Sequence, residues 1–302
     1  MIGVIVALIF CVVVPVAIMA MLVPSLDKTA PKKSNFHGVM GFNGLGIVWF
    51  VWLISFWVGT HFLVMLELDL PNWIGYVEPL FPVLAGSCAF GLFDDWAGSN
   101  QTKGFKGHLT ALAHGRITTG GLKFLGIGFL CLFLAISLYY DGLSSILHVM
   151  LVTCVIALSA NLMNLFDLRP GRAGKMYLLG LFAAAICIVV FGLIDDLGWL
   201  NLLALLLAAL GPLLAVWRFD LGEKGMIGDA GANSMGVFLG FLFALALPVW
   251  FLAVVVVGLA VVNLLSERVS FSGIIARNKV LSALDELGRI KDKNREPKPH
   301  EE

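Results

Sequence analysis

The sequence predicts an all-α, polytopic bundle of about nine to ten transmembrane helices, and three observations lead to this fold class. The 302 residues are 59% hydrophobic and only 13% charged, with a mean hydropathy of +0.94, which is too apolar for a soluble domain. Several stretches are long enough to cross a hydrocarbon layer, which takes roughly 20 residues of helix. The Lys and Arg residues fall into alternate connecting segments, as the loops of a multi-pass protein do.

Nine stretches satisfy the length requirement. The first is expected to be a retained span rather than a signal peptide, because its start lacks Lys and Arg and its apolar run is far longer than that of a signal. The last two are short and share a break at Pro248, which leaves nine or ten spans open. In chain order the predicted spans are 1–23, 44–66, 77–93, 119–140, 144–165, 176–194, 200–217, 234–247 and 249–265.

Alternation of these spans assigns each loop to a side. All 20 Lys and Arg residues fall on one side, in the loops that begin near residues 24, 94, 166 and 218, at the same end of the fourth span, or in the tail. The positive-inside rule makes this side cytoplasmic. We therefore expect a multi-pass protein of the cell (inner) membrane, with its N-terminus outside and its active-site loops in the cytoplasm.

The tail differs in kind from the spans, so we divide the chain into a transmembrane domain, 1–265, and a cytoplasmic segment, 266–302. From residue 270 to 290 apolar residues recur mostly at three- and four-residue steps, which predicts an amphipathic helix. It lies either at the lipid surface or packed under the bundle. Beyond residue 290 we expect a disordered end.

The placement of polar residues separates classes of function. Ion-coupled transporters carry ionisable groups in the middle of their spans, whereas this chain collects them at the predicted cytoplasmic helix ends. The segment GLFDD, which ends with Asp94 and Asp95, faces basic loops. The similar GLIDD, which ends with Asp195 and Asp196, falls on the opposite side without nearby bases. We interpret the first doublet as functional and the second as an internal control.

Oxygen side chains near the first doublet suit a hard cation, Mg²⁺ or Mn²⁺. Asp229, in the segment IGDAGAN, is expected to supply one ligand, while the backbone N–H groups beside it face a phosphate. Asn164 and Asp167, in NLMNLFD, are expected to add others. Asn161 and Asn164 share one helix face. The alternative is that both asparagines are interhelical hydrogen-bonding partners and that Asp229 is an ordinary helix cap.

Together, GLFDD followed by a basic loop, NLMNLFD and IGDAGAN resemble, in order and spacing, the polyprenyl-phosphate N-acetylhexosamine-1-phosphate transferase family. That family includes the phospho-N-acetylmuramoyl-pentapeptide translocase and the enzymes that begin O-antigen, teichoic acid and N-glycan synthesis. The resemblance covers residues 24–265. It implies Mg²⁺-dependent transfer of a sugar 1-phosphate from a UDP-sugar to polyprenyl (undecaprenyl) phosphate, with release of UMP.

The resemblance also implies residue roles. Asp94 and Asp95 match paired aspartates that position or deprotonate the lipid phosphate. Asn164 and Asp229 match the metal-holding positions, and Asp167 matches an aspartate implicated in the same site, so that Asp94, Asp95, Asp167 and Asp229 are the expected catalytic set. A one-step displacement and a two-step route through an aspartyl phosphate both stay open.

Several bases are candidate substrate ligands beside Asn161 and Asn164. Lys106 follows the acidic doublet, and Arg169 and Arg172 lie in the segment LRPGRAGK, where they suit a phosphate or diphosphate. Arg268 and Arg277, in the tail, are expected to contact the sugar nucleotide. Positive-inside topology alone accounts for such bases equally well.

The chain also departs from the family. The translocase has a histidine-rich stretch in its last large cytoplasmic loop, whereas the six histidines here lie elsewhere, so we do not expect the muramoyl-pentapeptide substrate. Two other classes of function stay open: a transporter or flippase of a lipid-linked or phosphorylated solute, and a catalytically silent membrane scaffold. Expected partners are a UDP-sugar, polyprenyl phosphate and membrane lipid, with no nucleic acid; a homodimer is left open.

Overall fold

The computed structural model describes residues 1–35, 38–98, 107, 110–111 and 113–289, and is an all-α bundle. Within those ranges nine helices are long and apolar enough to cross a membrane, so the chain is a multi-pass membrane protein and the predicted fold class is confirmed. They are α1 Ile2–Thr29, α2 Leu45–Met65, α3 Asn72–Ala97, α4 Thr119–Tyr139, α5 Leu143–Phe166, α6 Arg172–Val190, α7 Trp199–Leu221, α8 Gly228–Ala246 and α9 Val249–Ser266.

Three helix ends differ from the sequence prediction in a way that matters for the polar residues. The acidic doublet lies in the last turn of α3, Arg172 begins α6, and Asp229 is the second residue of α8. Hydropathy underestimates these helices because their terminal turns are polar or glycine-rich. The break at Pro248 is confirmed, since α8 ends at Ala246 and α9 begins at Val249.

Helix α8 is the centre of the bundle, packed against α3, α5 and α6. In the most apolar 18 residues of α8, 83% of the residues are buried, whereas the corresponding share in α9 is 6%. Small residues make this possible: a methyl group at Gly236 would run into the backbone of Ser159 and Ala160 on α5. Without a hydrophobic driving force between helices in lipid, such close backbone approach supplies the packing energy.

A small sheet, which the sequence analysis did not predict, joins the α1–α2 connection to the start of α8. Strand β1 (Lys32–Ser34) pairs antiparallel with β2 (Met40–Asn43), and β2 pairs in parallel with β3 (Gly225–Met226). The register places Phe42 opposite Gly225. Two further backbone bonds, from Gly44 to Met226 and from Gly46 to Ile227, carry this pairing up to the first residues of α8.

The tail forms two short helices instead of one amphipathic helix. They are α10 (Phe271–Arg277) and α11 (Lys279–Glu286), and they meet at Asn278. Its side-chain oxygen accepts the N–H groups of Val280 and Leu281, so Asn278 caps a new helix instead of continuing the old one. The predicted disordered end, beyond residue 290, lies outside the described residues.

Candidate active site

The polar residues of several helix ends surround one cavity of about 320 Å³. The C-terminal ends of α3, α5 and α7 meet there with the N-terminal end of α8. Side chains of both charges line it: Asp94, Asp95, Asp167, Asp220, Asp229, Lys33 and Arg169. Acids outnumber bases, so the cavity favours a cation or a substrate that arrives with one.

Asp95 is buried and is fully engaged in holding the start of α8. Its Oδ1 accepts the backbone N–H of Asp229 at 2.9 Å and the Nδ2 of Asn43 at 2.9 Å, and its Oδ2 accepts the N–H of Ala230 at 3.1 Å. The first N–H groups of a helix have no partner within the helix, and a carboxylate satisfies them well. Asp95 is thus a cap supplied by another helix.

Gly228 is the residue that lets this cap approach. Its φ is +68°, a left-handed conformation that glycine tolerates and other residues rarely adopt. A Cβ at this position would also lie 2.5 Å from Oδ2 of Asp95 and 2.5 Å from Oδ1 of Asn43. The first glycine of IGDAGAN is therefore required by both the backbone turn and the space beside Asp95.

Asp94 and Asp229 converge on the ammonium group of Lys123, one turn inside α4. Nζ of Lys123 lies 2.9 Å from Oδ2 of Asp94 and 2.5 Å from Oδ2 of Asp229. Between 14% and 24% of each of these side chains is exposed, so water screens the pair of ion contacts only partly. Unlike Asp95, Asp94 and Asp229 present their carboxylates to a cation.

Asp167 lies at the cavity wall, just past the end of α5. Burial first, and then the charges of Asp220, Asp95 and Asp229, hold the pKa of Asp167 well above its ordinary value. Asp167 therefore tends to keep its proton, because its ionisation would add another negative charge to an acidic cavity.

The start of α8 does not offer a free phosphate site, which corrects one expectation. The N–H groups of Asp229 and Ala230 donate to the carboxylate of Asp95. The positive end of the helix is thus already occupied by the carboxylate of Asp95. A substrate phosphate has to be held by side chains or by a cation instead.

The two asparagines of NLMNLFD do not point into the cavity as a pair. Asn161 is exposed and donates to Oδ1 of Asn263 on α9 at 2.6 Å. Asn164 does not line the cavity within the described part of the chain, and its backbone carbonyl accepts the N–H of Asp167. Asn161 thus joins two helices, as in the alternative of interhelical hydrogen bonding, and neither asparagine is among the described residues that line the cavity.

The bases of LRPGRAGK divide into two groups. Arg169 lines the cavity, as predicted for a substrate ligand. Arg172 is buried, with both of its donor edges on Asp285 and Ser272 of the tail. Its assignment as a phosphate ligand is corrected, since an internal carboxylate already occupies the guanidinium in a bidentate pair.

The remaining predicted ligands lie away from the cavity or outside the described residues. Arg268 follows the end of α9 and Arg277 ends α10; both are exposed, and neither is among the described residues that line the cavity. Lys106 lies outside the described residues. The control doublet behaves as expected: Asp195 and Asp196 are exposed between α6 and α7, at the opposite helix ends.

Sequence reasoning missed Lys123 and Asp220 as site residues. Lys123 stands near the N-terminus of an apolar helix, where a positive charge is unfavourable unless an acid is close by, and this was the available signal. Asp220, buried near the end of α7, accepts the N–H of Gly171 at 2.7 Å. No local pattern indicates that this aspartate reaches another loop.

Two observations fit a hard divalent cation in this cavity. The carboxylates of Asp94 and Asp229 already share one positive group, and Oδ1 of Asn43 is a buried oxygen without a hydrogen-bond partner among the described residues. No three Asp, Glu, His or Cys side chains of the described part form a ready-made metal centre. Mg²⁺ needs only one or two carboxylates, because water and phosphate complete its shell.

No protein-family model matches this chain, and no curated protein sequence is significantly similar to it.

Proposed function

We propose that this protein is a membrane-bound transferase that moves a sugar 1-phosphate, an N-acetylhexosamine 1-phosphate in the first instance, from a UDP-sugar to polyprenyl phosphate at the cytoplasmic face of the cell membrane. One observation carries the proposal: Asp94 and Asp229, from helices distant in sequence, both line one polar cavity at an end of an apolar bundle and both contact the ammonium group of Lys123. The resemblance of GLFDD, NLMNLFD and IGDAGAN to the transferase family supports the reaction class.

The cavity suits this chemistry because its acidic and its basic side chains would have separate roles. Asp94 and Asp229 would hold Mg²⁺, which when bound neutralises the diphosphate and the leaving UMP. Lys33 and Arg169, which also line the cavity, would bind phosphate oxygens. Asp95 keeps Asp229 in position by capping α8.

In the proposed step an oxygen of the lipid phosphate bonds to the sugar-bearing phosphorus. The bond from that phosphorus to the bridging oxygen breaks, and UMP leaves with the electron pair. A phosphate monoester loses its second proton near pH 6, so the nucleophile is already largely ionised at pH 7. The chain's carboxylates therefore orient the reactants rather than create the nucleophile.

Purified protein is tested with a panel of UDP-N-acetylhexosamines, undecaprenyl phosphate and Mg²⁺, and UMP release is measured. Asp229→Asn should lower the rate by roughly 100-fold or more, as the loss of one electrostatic group at a reacting centre does. Asp196→Asn, at the opposite helix ends, is the matched control and should leave the rate unchanged. If no nucleotide of the panel yields UMP, the proposed function is wrong.

A further inference from the structure

A buried ion pair joins the tail to Arg172, the first residue of α6. Nε and Nη2 of Arg172 donate to Oδ1 and Oδ2 of Asp285 at 2.7 and 2.9 Å, and Nη1 donates to the hydroxyl of Ser272 at 2.8 Å. Arg172 and Asp285 are both buried. A paired, two-point contact of this kind fixes both the distance and the orientation of the partners.

Further contacts surround this pair. Arg289 donates to Oδ2 of Asp285 at 2.8 Å and to the carbonyl of Pro170 at 3.2 Å. Lys175 donates to the carbonyl oxygens at the end of α11. The rings of Phe166 and Phe271 stack at 5.7 Å with an 11° interplanar angle. Polar and aromatic contacts thus hold the tail at several separate points.

The electrostatics favour a charged Asp285 throughout the neutral pH range. Burial alone would raise the pKa of Asp285, but the hydrogen bonds and charge of Arg172, with Arg289 and Arg169 beside it, hold that pKa below its ordinary value. Buried charges are screened by salt much less than surface charges are. This contact therefore does not depend on an anionic lipid surface, unlike an adsorbed amphipathic helix.

The same carboxylate reaches the cavity wall through Arg169. Nη1 of Arg169 lies 3.6 Å from Oδ2 of Asp285, which is longer than the contacts of Arg172 and Arg289 with that carboxylate. Arg169 is also the residue of the three that lines the cavity. Of the three arginines it is the one that both contacts Asp285 and lines the cavity in which a substrate phosphate would bind.

We propose that the docked tail, residues 271–289, is an intramolecular clamp that fixes the loop 168–172 as one wall of the cavity, with Asp285 acting as a positioning residue for Arg169. The proposal rests on the proposed function for what Arg169 binds, a phosphate of the UDP-sugar. Its structural half, that docking fixes the loop, stands independently of the reaction. Release of the tail would then weaken phosphate binding without touching Asp94 or Asp229.

Hydrogen exchange of the full-length protein in a neutral detergent, without anionic lipid, tests the structural half. The amides of 271–289 and of 168–172 should be protected in the wild type, and Asp285→Asn should make both segments exchange about tenfold faster or more. Asp285→Glu, which keeps the charge, should retain part of the protection, and Asp196→Asn should match the wild type. Fast exchange of the tail in the wild type, or protection unchanged by Asp285→Asn, would overturn the clamp.

Binding of UDP in the presence of Mg²⁺ tests the positioning half. Asp285→Asn and Arg169→Gln should each weaken UDP binding about fivefold, and the double variant should bind no more weakly than Arg169→Gln alone, because both changes act through one guanidinium. Additive losses would show that Asp285 does not act through Arg169. If the wild type binds no UDP and releases no UMP, the proposed function fails, while hydrogen exchange still decides whether the tail clamps the loop.

Discussion

The backbone N–H of Asp229 donates to Oδ1 of Asp95 at 2.9 Å. The second aspartate of GLFDD is therefore the cap of the helix that begins with IGDAGAN, and the two segments form one structural unit. This contact gives the two neighbouring aspartates of the doublet different tasks. Asp95 holds the start of α8 in place, whereas Asp94 contacts the ammonium group of Lys123.

Asp95→Asn is expected to lower the stability of the protein more than Asp94→Asn does. The amide NH₂ of the variant at position 95 would meet the N–H donors of Asp229 or Ala230, and an unsatisfied buried donor costs about 1–3 kcal/mol. Asp94 is partly exposed and loses only a charge partner. Thermal unfolding in detergent should rank the wild type and Asp94→Asn close together, above Asp95→Asn. The opposite order would show that Asp95 is not the cap.

Lys123→Met is expected to make the protein respond more strongly to Mg²⁺. Without the ammonium group, the carboxylates of Asp94 and Asp229 repel each other in a partly buried place. A divalent cation that binds there no longer competes with Lys123, so the Mg²⁺-induced rise in unfolding temperature should exceed that of the wild type. The exposed Lys28 supplies the control, Lys28→Met. Equal responses of all three proteins would place the cation elsewhere.

Gly228→Ala is expected to disrupt the start of α8 and abolish UMP release. The new methyl group would need a left-handed backbone and would lie 2.5 Å from oxygens of Asp95 and Asn43. Strain of this backbone type alone costs about 1 kcal/mol or more. The matched change is Gly258→Ala on α9, where a Cβ meets nothing within 4 Å and helix propensity improves by up to about 1 kcal/mol. Thermal unfolding and UMP release should be normal in that control.

Asp167→Asn is expected to stabilise the metal-free protein at alkaline pH. The pKa of Asp167 is raised above 3.8 in the folded protein, mainly by burial and then by Asp220. The folded state therefore holds this proton more tightly than the unfolded state does. The free energy of unfolding falls as pH rises from about 3.8 through the raised pKa.

Urea or thermal unfolding in EDTA, compared at pH 4 and pH 8, tests this sign. The stabilising effect of Asp167→Asn should be present at pH 8 and should shrink toward pH 4, where the folded state keeps its proton and the unfolded carboxyl group is about half protonated. A variant that is less stable than the wild type at pH 8 would mean that the ionised carboxylate is a favourable part of the fold.

The order and approximate limits of the spans could be predicted from the sequence, although it left nine or ten spans open, since a run of about 20 apolar residues crosses lipid whichever helices it packs against. The sequence also placed Asp94, Asp167 and Asp229 together, because alternation of spans sends the ends of helices to one side or the other. The observed cavity, which all three line, agrees with that expectation. Hydropathy is a local property, so it predicts what depends on local composition.

The partner of each polar side chain, in contrast, depends on how the helices pack. The tertiary structure separated Asp94 from Asp95, placed Lys123 between two acids, and joined Arg172 to Asp285. It also paired Asn161 with Asn263 of α9. These choices depend on side chains that lie far apart in sequence and meet only when the helices pack, and hydrogen bonds act over about 3 Å. A local sequence pattern therefore does not show which distant segment will supply the hydrogen-bond partner of a given side chain.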